Sequence, residues 1–268
     1  MTAALVIDTS YGSTVGVVGH EPIVETDSRT HVEKLQVNIA RAIAEAGLEP
    51  RDIGHIVVGV GPAPFTGLRA GIVTAKALAF ATGAELTGQD VLAPQARWNA
   101  IRRSAIAEES ASDAASEIAL TLAVNDARRR QLYFALYGAP AAFDTLIAMD
   151  IDYPASIAQR VNAAVAQVHA AHPGAAVTVD VVGHGARRYA DAWQDLDALG
   201  DVVDESVLDQ GEAGLKLFYA QAALRHRAAH EAGEAPAPVE PLYLRRPDAE
   251  VPAPLKHVLG HDGAERKD

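Results

Sequence analysis

The sequence has no cysteine among its 268 residues, and aromatic residues make up only 5% of it. The lack of cysteine excludes disulfide bonds, thiolate catalysis and cysteine-ligated metal sites. Much of the hydrophobic content, 49% of the chain, is alanine and valine, which favours helices packed closely on sheets. The most apolar stretch, Gly71 to Ala84, is interrupted by Lys76 and is too short to cross a bilayer.

Positive charge is also scarce. The chain carries 23 Lys and Arg against 35 Asp and Glu, a formal net charge of −12. Proteins hold phosphate backbones with Lys and Arg, so a chain this acidic is a poor binder of nucleic acid unless the contact is local or made by a partner. The basic clusters are short and are interpreted as solvated charges. They are Arg102-Arg103, Arg128 to Arg130, Arg187-Arg188 and Arg245-Arg246.

The first residues, MTAALVIDTS, lack the cationic region of a signal peptide and are typical of a buried strand. With no signal peptide and no membrane-spanning stretch, a cytoplasmic protein is expected.

Strand and helix patterns alternate twice along the chain. In the first half, a hairpin of Ala3–Ile7 and Thr14–Val18 is followed by a third strand, a helix, a strand, a second helix at Phe65 to Thr82 and another strand. A second hairpin around Asp126-Ala127-Arg128 begins a related order. This predicts an α/β protein with two lobes of duplicated β-β-β-α-β-α type, the actin-like ATPase (ribonuclease H-like) fold.

Changes in composition give the predicted boundaries. The first lobe, with the partner or dimer interface, spans 1–103, and the second spans 117–231. A mobile connector at 104–116 joins them, because this stretch is rich in Ala, Ser and acidic residues. The residues from 232 onward are rich in Pro, Ala and acids. Of these, 232–250 is expected to dock as a tail and 251–268 to be disordered.

Asp8, Thr9 and Ser10 follow the first strand and are candidate nucleotide-binding residues. In an actin-like fold this loop lies against nucleotide phosphates, where an aspartate can organise a metal and hydroxyls can contact oxygens. Alternatively, Asp8 and Ser10 simply hydrogen-bond the turn.

The stretch from Gly59 to Arg69 combines glycines and two prolines, which indicates a sharply bent loop before a helix that Thr66 can cap. Gly67, Gly71 and Ala75 then recur every four residues and form a small-residue stripe, which allows a close helix contact within the lobe or across a subunit interface. The stretch is neither a P-loop nor a dinucleotide-binding motif, because no Gly-Lys-Ser/Thr follows and Pro64 occupies the position of the third glycine.

Several motifs occur together in order. IDTS lies near the N-terminus, His31-Val32-Glu33 opens a helix, and VGVGPAPFTGLRAGIVTAKALA follows. Asp126-Ala127-Arg128, Gly183-His184-Gly185-Ala186 and Pro241-Leu242-Tyr243-Leu244-Arg245 come later. Together they resemble the TsaB (YeaZ-type) family over about residues 1 to 247. The sequence departs from the family where Ala63 and Pro64 replace the usual Gly and Ser, which puts phosphate binding by that loop in doubt.

The resemblance implies an accessory protein that is not an enzyme by itself. It would be required for threonylcarbamoyl transfer to adenosine 37 of tRNA, with TsaD-type catalytic and TsaE-type ATPase partners and a homodimer when the partner is absent. It would contact tRNA only indirectly and bind no cofactor alone, with ATP or ADP at the complex interface. The N-terminal helices would form the partner contact. The residues predicted to make it are Leu35, Ile39, Phe65, Leu68, Gly71 and Ala75.

Two other functions compete with this one. A free-standing actin-fold ATPase or small-molecule kinase would need a second phosphate loop, and Asp126-Ala127-Arg128 lacks the expected Gly and Thr content. A metallopeptidase is disfavoured because the catalytic relatives hold their metal with two histidines four residues apart on a helix, whereas here Leu35 follows His31 at that spacing. We therefore predict no metal site and no catalytic residue.

Overall fold

The computed structural model describes residues 2–27, 30–110, 117–138, 144–235 and 237–245. The first half of the chain forms β1 (Ala3–Asp8), β2 (Ser13–Val17), β3 (Ile23–Glu25), α1 (His31–Glu45), β4 (Ile53–Gly61), α2 (Phe65–Thr82), β5 (Glu85–Asp90) and α3 (Ala93–Ser110). The second half forms β6 (Glu117–Asp126), β7 (Leu132–Tyr137), β8 (Thr145–Asp152), α4 (Pro154–Ala171), β9 (Ala176–Val182), α5 (Ala190–Trp193), β10 (Leu199–Val203) and α6 (Gly211–Glu231).

The two halves build sheets of the same topology. The first sheet has the order β3-β2-β1-β4-β5, and the second has the order β8-β7-β6-β9-β10. In each, the first strand of the half runs antiparallel to the second strand and parallel to the fourth. This repeated topology confirms the predicted α/β fold with two duplicated actin-like lobes.

Helices of one half cover the sheet of the other. The face of the first sheet that carries Val6 and Val57 packs against Leu215 and Phe218 of α6. In the same way, α3 lies along β6 and β9 of the second sheet. The opposite face of the first sheet is covered by its own helices, α1 and α2. The two halves are therefore interlocked through α3 and α6.

The structure differs from the sequence-based prediction in several places. The third strand that the duplicated order implies for the second lobe is β8, a stretch that the sequence analysis did not locate and whose burial is mixed. Helix α3 continues to Ser110, so 104–110 is helical rather than a connector, and 111–116 lies outside the described residues. Thr66 lies inside the first turn of α2, whose N-cap position is Pro64, so the predicted cap does not form.

The tail is described for 237–245. Val239 and Leu242 pack on the core of the first lobe, and the N–H of Leu242 donates to the carbonyl of Val60 at 2.8 Å. Further along, a guanidinium nitrogen of Arg245 donates to the carbonyl of Ala127 at 2.8 Å. This segment therefore contacts both lobes. The tail predicted to be disordered, 251–268, lies outside the described residues.

Candidate functional site

Asp8 ends β1 with a buried carboxylate. One carboxylate oxygen accepts the backbone N–H of Ser10 at 3.0 Å, and the other accepts the hydroxyl of Ser10 at 2.8 Å. Burial raises the pKa of Asp8, and the hydrogen bonds from Ser10 oppose this rise only in part. A methyl group on Gly59 of β4 would lie 1.9 Å from the carboxylate, so the site requires glycine there. These contacts fit a side chain that hydrogen-bonds its own turn, and nucleotide binding by Asp8 and Ser10 stays a prediction.

Thr9 joins the end of β1 to α2. Its hydroxyl donates to the carbonyl of Gly67 at 2.9 Å, and a Cβ atom at Gly71 would lie 2.3 Å from the same hydroxyl oxygen. Gly71, in the small-residue stripe, therefore permits a close approach within the lobe. Because the Thr9 side chain is buried in this contact, a nucleotide would have to displace α2 to reach its hydroxyl.

A cleft that opens to solvent lies between the lobes. The ring of Tyr11, after β1, stacks on the imidazole of His184, after β9, with centroids 3.9 Å apart. Nε2 of His184 lies 2.8 Å from a carboxylate oxygen of Asp209. The amide of Asn125 reaches across from β6 and donates to the carbonyl of Pro62 at 3.2 Å. Side chains of this chain thus bridge its own cleft.

Asp209 titrates under two opposing influences. Its burial acts to raise the pKa of the carboxyl, but the hydrogen bond and charge of His184, together with hydrogen bonds from Ser206, outweigh it. The pKa of Asp209 therefore lies below its usual range. The carboxylate stays charged and continues to hold His184 in the cleft at neutral pH.

Four of the six predicted partner-binding side chains lie in the core of the first lobe. Leu35, Ile39, Leu68 and Ala75 are buried among the side chains of α1, α2 and the first sheet. Gly71 is buried as well. A partner could reach these residues only after unpacking the lobe, so their prediction as contact residues is corrected. The helical spacing that identified them marks the face that packs on the sheet, because an amphipathic helix buries that face first.

The opposite faces of α1 and α2 expose other hydrophobic side chains. Val37 of α1 is 66% exposed, and Val73 and Phe80 of α2 are 64% and 93% exposed. The residues near them are mainly small or charged. Those that are exposed include Ala40, Arg41, Ala44, Lys76, Ala77 and Ala81. The two helices contact each other, so these residues form one surface, the α1/α2 outer face. The sequence contained a sign of this surface. The buried residues of α2 recur every three or four positions, and Val73 and Phe80 are large hydrophobic residues outside that repeat.

Phe65, the remaining predicted contact residue, is half exposed at the start of α2. Its ring stacks on Tyr243 of the tail with centroids 5.1 Å apart, and the guanidinium of Arg69 lies 4.5 Å from its centroid. A partner would therefore meet Phe65 together with the tail segment.

The comparisons with known proteins agree with this fold. The family model described as "TsaD: tRNA N6-adenosine threonylcarbamoyltransferase" matches residues 21–253. The chain belongs to this family. The resemblance to TsaB (YeaZ-type) proteins that the motifs indicated is thus confirmed at the level of family and fold.

Relatives of two kinds match the chain. An uncharacterized protein of Mycobacterium tuberculosis is 33% identical over 256 residues, which covers 93% of this chain and 94% of the relative. A tRNA N6-adenosine threonylcarbamoyltransferase of Cereibacter sphaeroides is 40% identical over only 74 residues, 28% of this chain and 20% of that protein. The likeness to this transferase is therefore confined to a short segment.

Among solved structures, YeaZ from Pseudomonas aeruginosa superposes with a TM-score of 0.58 at 21% identity, covering 91% of this chain and all of that one. At this identity the match establishes the fold.

Membership of the TsaD family raises the question of a metal. Within the described residues, no group of three or more His, Asp or Glu side chains converges as a metal site would require. None of the helices in the described part of the chain has the length and hydrophobicity needed to cross a membrane.

Proposed function

We propose that this chain is a non-catalytic subunit in the formation of threonylcarbamoyladenosine in tRNA, and that it acts in the cytoplasm by binding and supporting a TsaD-type catalytic subunit. Family membership supports the link to this tRNA modification. The observation that carries the accessory role is the exposed apolar surface of α1 and α2, centred on Phe80.

The α1/α2 outer face has the features of a helix-packing surface. Three large apolar side chains project from a pair of adjacent helices, and the exposed alanines around them allow a second pair of helices to approach closely. Burying one Phe side chain stabilises a contact by roughly 1.5–3 kcal/mol. Two such helix pairs, one from each protein, would form a four-helix contact.

The same surface accommodates either of two partners. A homologous lobe of a TsaD-type protein would bring a similar helix pair, and in its absence a second copy of this chain would bring an identical one. A two-fold contact uses the same patch on both molecules, so homodimer and heterodimer would compete for this face.

The remaining parts of the proposal concern nucleotide and tRNA. The chemistry and its metal are assigned to the TsaD-type subunit, because Leu35 follows His31 at the spacing where the catalytic relatives place the second metal-binding histidine. ATP or ADP would bind at the complex interface, where a TsaE-type ATPase joins. Because this chain has a net charge of −12, most of the contacts to tRNA are assigned to the partner.

The test uses a variant of the most exposed residue on the α1/α2 outer face. Phe80→Glu places a charge at the centre of the surface, and Leu224→Glu is the matched control because Leu224 is a 55% exposed hydrophobic residue of α6. Each variant is mixed with the TsaD-type protein of the same organism. Complex formation is followed by size-exclusion chromatography, and threonylcarbamoyl transfer to tRNA is measured in the same mixtures.

Wild type and Leu224→Glu are expected to form the complex and to support transfer, whereas Phe80→Glu should lose both. Its thermal unfolding should be unchanged, because substitutions at exposed sites usually alter stability by about 0.5 kcal/mol or less. If both variants formed the complex equally well, the α1/α2 outer face would be rejected as the partner-binding surface. Turnover of ATP by the isolated chain without any complex would favour the free-standing ATPase instead.

A further inference from the structure

The loop between β6 and β7 carries three arginines in an unfavourable backbone conformation. Arg128, Arg129 and Arg130 have φ angles of 60°, 52° and 62°, all in the left-handed region. That region costs an L-residue with a Cβ atom about 1–2 kcal/mol, and it is normally occupied by glycine or asparagine. All three residues are exposed. The loop therefore presents three adjacent guanidinium groups at a cost in stability.

The tail supports this loop with a further cation. A guanidinium nitrogen of Arg245 donates to the carbonyl of Ala127 at 2.8 Å and to the side-chain oxygen of Gln131 at 2.9 Å. A positive charge placed under a positively charged loop is repulsive, so the arrangement gains stability when an anion binds beside it.

A second arginine cluster, distant in the sequence, meets the first one in the fold. Arg188 lies 3.1 Å from one carboxylate oxygen of Asp126, and the other oxygen of Asp126 accepts the N–H of Arg128 at 2.8 Å. Arg187 is the neighbour of Arg188, and its N–H donates to Asp204. The sequence interpretation of these clusters as separate solvated charges did not anticipate that they meet.

These contacts define an arginine patch on an acidic protein. Its members are Arg128, Arg129, Arg130, Arg187, Arg188 and Arg245. Six of the chain's 23 Lys and Arg residues thus gather at one end of the second sheet. Two acidic side chains contact members of the patch in the described residues: Asp126 pairs with Arg188, and Asp204 accepts the N–H of Arg187.

We propose that the arginine patch contacts the phosphodiester backbone of the tRNA directly, and this rests on the proposed role in tRNA modification. The planar fork of a guanidinium matches two phosphate oxygens, and several forks spread over two loops fit consecutive phosphates of a strand. The partner provides the main grip, and the patch orients the tRNA across the second lobe. This is the local contact that an acidic protein allows.

The test measures tRNA binding by fluorescence anisotropy over a series of salt concentrations, with the full chain alone and in complex with its TsaD-type partner. The patch variant is Arg128→Gln with Arg130→Gln and Arg187→Gln. The control variant is Arg51→Gln with Lys216→Gln and Arg227→Gln, which removes three exposed cations away from the patch. Both change the formal net charge equally, from −12 to −12 − 3 = −15.

The patch variant is expected to bind tRNA at least about tenfold more weakly at ~0.1 M salt. The slope of log affinity against log salt should become shallower by about two to three, because each phosphate contact contributes about 0.7–0.9. The control should follow wild type. A variant with lysine at the three patch positions should keep most of the slope, since its charges remain. This separates a phosphate contact from a structural role.

Three outcomes would overturn the proposal. The patch and control variants could bind tRNA equally, the tRNA affinity of the wild type could be independent of salt, or tripolyphosphate could bind at the patch while tRNA does not. The variant Phe80→Glu separates failure of this proposal from failure of the proposed function, because Phe80 lies on the α1/α2 outer face and not in the arginine patch. If the chain forms no complex but the patch variant still loses tRNA binding, the proposed tRNA contact is supported and the proposed accessory role is rejected.

Discussion

The ring of Tyr11 in the first lobe lies nearly parallel to the imidazole of His184 in the second, at an interplanar angle of 17°. The contact continues to Asp209, so a loop of the first half is joined to two segments of the second. Stacked aromatic pairs are worth about 0.5–1.5 kcal/mol beyond the area they bury. We therefore expect the pair to couple the two lobes across the cleft.

A double-mutant cycle tests this coupling. Tyr11→Ala and His184→Ala should each lower the free energy of unfolding, and the double variant should lose about 0.5–1.5 kcal/mol less than the sum of the two. Urea unfolding at pH 7 provides the measurement. Strict additivity of the two substitutions would show that the stack contributes no coupling.

Asp8 gives a prediction about pH. Because burial raises its pKa above the ordinary value of 3.8, the folded state holds a proton that the unfolded state has released just above that pH. The free energy of unfolding should therefore fall as pH rises from about 3.8 through the raised pKa, and the penalty should stay constant above it. Asp8→Asn removes the buried charge, so its free energy of unfolding at pH 7 should exceed that of wild type.

The advantage of Asp8→Asn should shrink as the pH falls through the raised pKa of Asp8, because below it the wild-type carboxyl is protonated too. Thermal unfolding over a pH series measures this, with exposed Asp191→Asn as the control. A variant less stable than wild type at every pH would mean that the hydrogen bonds from Ser10 to the carboxylate outweigh its desolvation.

Gly59 should be intolerant of a side chain. Gly59→Ala would place a methyl group 1.9 Å from a carboxylate oxygen of Asp8, and such overpacking typically costs about 1–3 kcal/mol. Gly138→Ala is the matched control, because the nearest atom to its Cβ among the described residues would be the Asp144 carbonyl oxygen at 3.5 Å. Chemical unfolding measures both.

The cost of Gly59→Ala should fall when Asp8 is replaced by Ala in the same chain, since the clashing carboxylate is then gone. An equal cost in both backgrounds would assign the effect to the backbone of β4 rather than to Asp8.

Asp180 of β9 should be essential for stability. Its fully buried carboxylate accepts hydrogen bonds from Asn99, Arg102 and Arg103 of α3, with Arg103 at 3.0 Å. Removing one partner of a buried ion pair typically costs about 3–5 kcal/mol, because the other charge stays desolvated. Since both arginines are partly exposed, the loss for Asp180→Ala is expected near ~3 kcal/mol.

The comparison for Asp180→Ala is Glu49→Gln, which breaks the exposed ion pair with Arg51. Exposed pairs contribute about 1 kcal/mol or less, so this variant should unfold close to wild type in urea. Similar behaviour of the two variants would mean that α3 does not depend on Asp180 for its attachment to the second sheet.

The prediction from sequence succeeded where the signal was local. Helix α2 begins at Phe65 and ends at Thr82 as predicted, and both hairpins form where turn residues separate apolar runs. The duplicated order implied a strand at the place of β8, but its position was not predicted, because its mostly half-exposed residues lack a clear alternation of buried and exposed positions. Apart from Phe65, the partner-binding prediction chose residues of α1 and α2 that the structure buries in the lobe. Leu35 faces the sheet, whereas Val37 two positions later is exposed.

The sequence by itself determined the alternation of strands and helices, the duplicated order and the family, because these depend on spacing and motifs along a continuous stretch of chain. Only the tertiary structure decided that α6 covers the first sheet, that Tyr11 meets His184, and that Arg188 joins Arg128 at Asp126. An apolar stripe on a helix requires burial but does not specify the surface that buries it. Contacts between distant residues depend on the order of strands in the two sheets and on how the lobes pack together.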